Sequence, residues 1–243
     1  MRLIVLLLFL IFLVAETNLV SGRKVTWSSP FVYAAIALLV GFVLGYWQRR
    51  VVNDRNVKSF QNHGEALLTH TLRKHFNTDD YHLLNHITLK QGDGTTQIDH
   101  ILVSRFGVFV IETKDYTGWI FANAEHATWT QATFNDKHKF QNPIHQNYLH
   151  VKAAQELLDF VPASAIQSVV VFVGDAEFKT DVPAGVFTLP KLIEYLKGCT
   201  EEVLSLNRMQ FCVGRVETER LAVSGKTDLE HVQALRHRYA HND

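Results

Sequence analysis

The sequence predicts an α/β domain, a mixed sheet flanked by helices, preceded by N-terminal membrane helices. Three observations predict it. Apolar residues crowd the region before Trp47 and thin out after it. Residues 97–104 and 107–114 are rich in Ile, Val and Phe on both faces, as central strands covered on each side are. The segments around them read, in order, as helix, three strands, helix and strand.

The N-terminal region holds two apolar runs. The first, residues 3–15, is about 13 residues long, which suits a signal-like segment or a short first span within residues 1–22. The second, residues 31–47, carries no charge and rises about 25 Å as a helix, enough for a short transmembrane span. Arg49, Arg50, Arg55 and Lys58 follow it, against Arg23 and Lys24 before it. The positive-inside rule then sets the chain on an inner or cytoplasmic membrane, with the lipid bilayer as a partner and the soluble part facing the cytosol.

The soluble part divides into a domain over residues 57–174 and a C-terminal α/β extension over 175–243. Ala66, Leu67, Leu68, Leu72 and Phe76 have helical spacing. Residues 81–89 read as a strand, and Gln91-Gly92-Asp93-Gly94 as a turn. A loop-rich stretch spans 115–142, Pro143 opens a helix to about residue 160, and 167–173 is a continuous apolar strand. Beyond Gly174 the pattern suggests a short helix at 190–197, a strand at 209–216 and a final amphipathic helix at 227–239.

Composition excludes some chemistry. Lys plus Arg and Asp plus Glu stand at 24 each, so any grip on nucleic acid comes from a local patch, not the global field. Two cysteines without CxxC spacing exclude a cysteine zinc cluster. The 13 histidines show neither HExxH nor HxH.

The chemistry concentrates on the two central strands. If Arg105-Phe106 is a hairpin turn, Ser104 pairs with Gly107, and counting back sets Asp99 directly opposite Glu112. Opposed side chains share a face, with Cβ atoms about 4.5–5.5 Å apart, and Lys114 joins them by alternation. Like charges so placed are destabilising unless something compensates, and a hard divalent cation does. His100 alternates away from Asp99 towards a helix. Trp119 and Trp129 are candidates for base stacking, although packing is the commoner role for such residues. Arg73, Lys74, Lys137 and Lys139 are candidates for phosphate contacts.

Residues from Gly64 to about Gly174 resemble the nuclease-related (NERD) domain, a relative of the PD-(D/E)xK nucleases. The resemblance rests on Gly64-Glu65, on Gln97-Ile98-Asp99-His100-Ile101 and on Gly107-Val108-Phe109-Val110-Ile111-Glu112-Thr113-Lys114. Gly118-Trp119, Trp129-Thr130-Gln131 and Gln141-Asn142-Pro143-Ile144 follow in the same order. It implies a restriction-endonuclease-like fold with catalytic residues Asp99, Glu112, Lys114 and Glu65. Mg²⁺ or Mn²⁺ is expected on Asp99, Glu112, the Thr113 backbone and Glu65, and substrate contacts at Gln141 and Gln146. The expected activity is metal-dependent hydrolysis of nucleic acid, DNA ahead of RNA. The alternatives are a membrane-tethered module that binds nucleic acid without cutting it and a protein scaffold.

Overall fold

The computed structural model describes residues 38, 40–45, 62–92 and 94–240, with the last eight described by their backbone alone. The chain forms two compact units, residues 1–52 and 53–243. In the first, residues 38 and 40–45 are helical, with Leu38, Val40, Phe42 and Leu44 exposed. The segment expected at 1–22 and most of the span expected at 31–47 lie outside the described residues. Among the described residues, no helix is long and apolar enough to cross a membrane.

The second unit opens with helix α1 (His63–His75). Asn62 caps it by accepting from Glu65 N–H, Glu65 sits in the positive first turn, and Arg73, Lys74 and His75 sit in the negative last turn. Strands β1 (Tyr81–Gln91), β2 (Gly94–Ser104) and β3 (Gly107–Lys114) then form an antiparallel meander. Gly92 takes a positive φ of 54° in the first turn, where Gln91 pairs with Gly94.

The stretch expected to be a loop is a small sheet. It holds β4 (Gly118–Phe121), β5 (Thr128–Ala132) and β6 (Lys137–Gln141). Asn142 then caps α2 (Pro143–Leu157), with Pro143 in its first turn where no amide donor is needed. Strand β7 (Ile166–Phe172) runs parallel to β3. Short strands β8 (Ala176–Phe178) and β9 (Val186–Thr188) lead to α3 (Leu189–Gly198), α4 (Leu206–Glu219) and α5 (Gly225–Ala240).

Two sheets result. The larger has the order β1-β2-β3-β7-β9 and the smaller β6-β5-β4-β8. Helices cover both faces of the larger sheet, as its two-sided apolar strands require. Ile101, Val103, Val108 and Val110 pack with Ala154 of α2, with Leu158 at its C-terminal cap, and with Met209, Cys212 and Val216 of α4. Leu102, Phe109, Ile111 and Val169 pack on the other face with Leu68 and Leu72 of α1 and Leu192 of α3. A third cluster joins the sheets through Ile120, Trp129, Val170 and Phe172.

Residues 209–216, expected as a strand, belong to α4. Its buried residues Met209, Cys212 and Val216 recur at helical spacing and Ser205 caps it, so tertiary burial overrides the β-branched and aromatic composition. Cys199 and Cys212 are both free.

A candidate carboxylate–lysine site where two strands part

The site lies at the far end of the β2–β3 ladder from its turn. Ser104 pairs with Gly107 as the two-residue hairpin requires, and the register runs back to His100–Ile111. There it stops, one pair short of the expected Asp99–Glu112 partnership. At the same level in β1, His86 adopts a positive φ of 51°, and the otherwise constant register passes from Asn85–His100 to Ile87–Ile98 with no pair at Asp99. Ile98 and Ile101 consequently face the same core, so strict alternation fails at Asp99.

Asp99 stands at this switch. Its Oδ2 accepts from Thr113 N–H at 2.8 Å, replacing the ladder bond that β2 no longer supplies. Val173 N–H donates to Lys114 O, so Lys114 turns its backbone towards β7. By alternation Thr113 turns its N–H and carbonyl towards the parting strand β2. The Thr113 carbonyl and the Asp99 carboxylate thereby address one gap.

Glu112 and Lys114 share the face covered by α2, as two-residue spacing predicts. Lys114 Nζ donates to Glu112 Oε1 at 2.7 Å and to Gln146 Oε1 at 3.1 Å. Glu112 is only 2% exposed, and its Oε2 makes no hydrogen bond although His150 Nε2 lies 3.3 Å away. His150 is fixed from its other side, with Nδ1 2.7 Å from Thr96 Oγ1.

Glu65 enters from the first turn of α1, where Asn62 Nδ2 donates to its Oε1 at 2.5 Å. Gly64 lets α1 approach this closely. A Cβ there would stand 2.5 Å from Asp115 Cβ and 2.9 Å from Val173 Cγ2.

The carboxylates feel one another. Burial pushes Glu65 up to about 7, and the Glu112 charge adds to it. Burial, then Glu112 and Glu65, hold Asp99 well above the ordinary carboxylate range. Burial would also raise Glu112, but His150 and Lys114 outweigh it and keep Glu112 below its usual value. Burial pulls Lys114 down, yet the Glu112 charge prevails and Lys114 stays protonated.

Against this geometry, residues 61–173 match the family model described as the nuclease-related domain. The chain carries a nuclease-related domain. It is also 47% identical over 98 residues to an uncharacterized protein of Bacillus anthracis, a match covering 40% of this chain and 45% of that protein. No solved structure is significantly similar to it.

Within the nuclease-related domain, Glu112, Lys114 and Gln146 are in contact, and Asp99 and Glu65 lie close enough for the Glu112 charge to raise their pKa. Gln141 does not join them: it is exposed at the end of β6, paired with Thr128 in the smaller sheet. Trp129 is buried and stacked on Phe172, so it packs the domain, whereas Trp119 is half exposed. His100 contacts Thr69 of α1 and is driven by burial to about 3, hence neutral, as its helix-facing position implies.

Two residues of α2 escaped the sequence reading. His150 falls on the buried stripe Asn147, His150, Val151 and Ala154, and a histidine there was the available signal. Asn147 Nδ2 reaches Val110 O, Ser168 Oγ and Val169 O, tying α2 to β3 and β7 beneath the site.

The fit to a divalent cation rests on the donor set. Among the described residues no three His, Cys, Asp or Glu side chains converge as a ready-made metal cluster. The Asp99 carboxylate and the Thr113 carbonyl address one gap, and the buried Glu112 Oε2 has only His150 Nε2 at 3.3 Å, outside hydrogen-bond geometry, so it keeps acceptor capacity. That set suits a hard cation that completes its shell with water.

Proposed function

We propose that this domain is a divalent-metal-dependent nuclease, hydrolysing phosphodiester bonds of nucleic acid, with DNA ahead of RNA. The observation that carries the reading is the buried Glu112–Lys114 pair where β2 leaves β3, close enough to Asp99 and Glu65 for their charges to act on one another. Asp99, Glu112 and the Thr113 carbonyl, with Glu65 beside them, would hold Mg²⁺ or Mn²⁺. The cation supplies Lewis-acid polarisation of the phosphoryl group and lowers the pKa of a water.

The side chains supply the rest. Lys114 remains cationic through Glu112 and is held in place by Gln146, so it would stabilise charge developing on the phosphoryl oxygens. Thr113 N–H fixes the Asp99 carboxylate, and His150 faces Glu112 from α2. The uncharged apolar run at 31–47 and the basic residues after it support a membrane anchor with this domain in the cytosol.

Incubation of plasmid and single-stranded DNA with the chain and Mg²⁺ or Mn²⁺ tests the reading. Cleavage is expected with the cation and lost with chelator, in Asp99→Ala and in Lys114→Ala. Equal cleavage by the wild type and both variants overturns it.

A further inference from the structure

The smaller sheet turns one face to the core and one to solvent. Ile120, Trp129, Phe140 and Phe178 point inward. By alternation and register, the outer face carries Trp119 and Phe121 on β4, Thr130 and Ala132 on β5, and Lys137 and Lys139 on β6. In cross-strand rows, Trp119 lies opposite Ala132, which lies opposite Lys137; Phe121 lies opposite Thr130, which lies opposite Lys139.

The aromatics on this face are 51% exposed at Trp119 and 39% at Phe121. Lysines bracket them. Lys179 Nζ lies 4.9 Å from the Trp119 ring centre and Lys137 Nζ 5.9 Å from that of Phe121. Lys179 also pairs with Glu177 beside β4, leaving three lysines against one glutamate around two part-exposed aromatic rings.

We infer that this outer face binds single-stranded nucleic acid, with bases stacked on Trp119 and Phe121 and phosphates met by Lys137, Lys139 and Lys179. The charge is that of a partner to a polyanion. Aromatic rings interleaved with lysines suit unpaired bases, because a duplex keeps its bases stacked inside. In a chain of zero net charge, this is a local patch that supplies what the global field does not. The inference names the strand state of the substrate and so rests on the nuclease reading for its purpose, though not for its measurement.

The test uses the full chain in chelator, so that no turnover occurs, and a labelled single-stranded oligothymidylate followed by fluorescence anisotropy. Trp119→Ala is expected to weaken binding about tenfold, and Phe121→Ala by a similar factor. Lys137→Gln with Lys139→Gln is expected to flatten the slope of log affinity against log salt by about 1.4. Unchanged single-strand affinity in all three variants overturns the inference. So does a duplex of the same length binding more tightly through these residues, or binding of the face to anionic phosphatidylserine vesicles in preference to the oligonucleotide. If the oligonucleotide binds through Trp119 but is never cut with metal, the nuclease reading fails and the surface stands. If cutting occurs while Trp119 is indifferent, the reverse holds.

Discussion

Lys114 Nζ lies 2.7 Å from Glu112 Oε1, and both side chains project from β3 onto the face that α2 covers. The pair makes the cation a fixed part of the site, because a buried ammonium beside a carboxylate keeps its proton. Lys114→Ala should therefore lower metal-dependent cleavage by about a hundredfold or more, the scale of losing one charge-stabilising donor. Initial rates on a linear DNA substrate measure it, with circular dichroism confirming the fold. A rate within threefold of wild type would remove Lys114 from the chemistry.

Glu65 gives the pH dependence. Its folded pKa of about 7 lies above its unfolded one, so the fold favours the protonated acid. Stability without metal should fall as pH rises from about 4.5 through 7, and Asp99 works in the same direction. Glu112, held low, acts the opposite way and matters only below its ordinary value. A cation relieves the repulsion among ionised carboxylates, so Mg²⁺ should raise the melting temperature more at pH 8 than at pH 5. Equal shifts at the two pH values would contradict this.

Gly64 sets the approach of α1. Gly64→Ala must displace either the helix or Asp115, since the new methyl carbon would sit 2.5 Å from the Asp115 Cβ. A loss of about 1–3 kcal/mol is expected from such overpacking. Cleavage should fall as Glu65 moves with the helix. Urea midpoints and rates on the same samples check both effects.

The two tryptophans of the small sheet should part company. Trp129 is 1% exposed and stacked on Phe172, so Trp129→Ala should cost about 3–5 kcal/mol. Trp119→Ala, on the outer face, should stay within about 0.5 kcal/mol. Denaturant unfolding of the two variants settles the contrast.

The sequence carried the site further than it carried the sheet around it. Arg105-Phe106 as a two-residue turn set Ser104 against Gly107, and that pairing holds. The end of the ladder was not legible, because it coincides with a left-handed backbone at His86 on a third strand, which no pattern within β2 and β3 announces. Strands β4 to β6 hid for another reason. They are four or five residues long, and β6 places Lys137, His138 and Lys139 in succession, which reads as loop until Phe140 and Trp129 are seen to pack beneath. His150 showed only as a histidine on the buried stripe of α2; that it meets Glu112 depends on how α2 docks, with Asn147 bonded to β3 and β7.

Titration of the chain with Mn²⁺ by calorimetry at neutral pH tests the central claim most directly. Glu112→Gln keeps the shape of the side chain and removes the charge, and Asp99→Asn does the same at the parting of the strands. One saturable site is expected in the wild type, weakened about tenfold or more in each variant, by analogy with other losses around metal ligands. Equal affinity in all three proteins would show that these carboxylates do not share a cation.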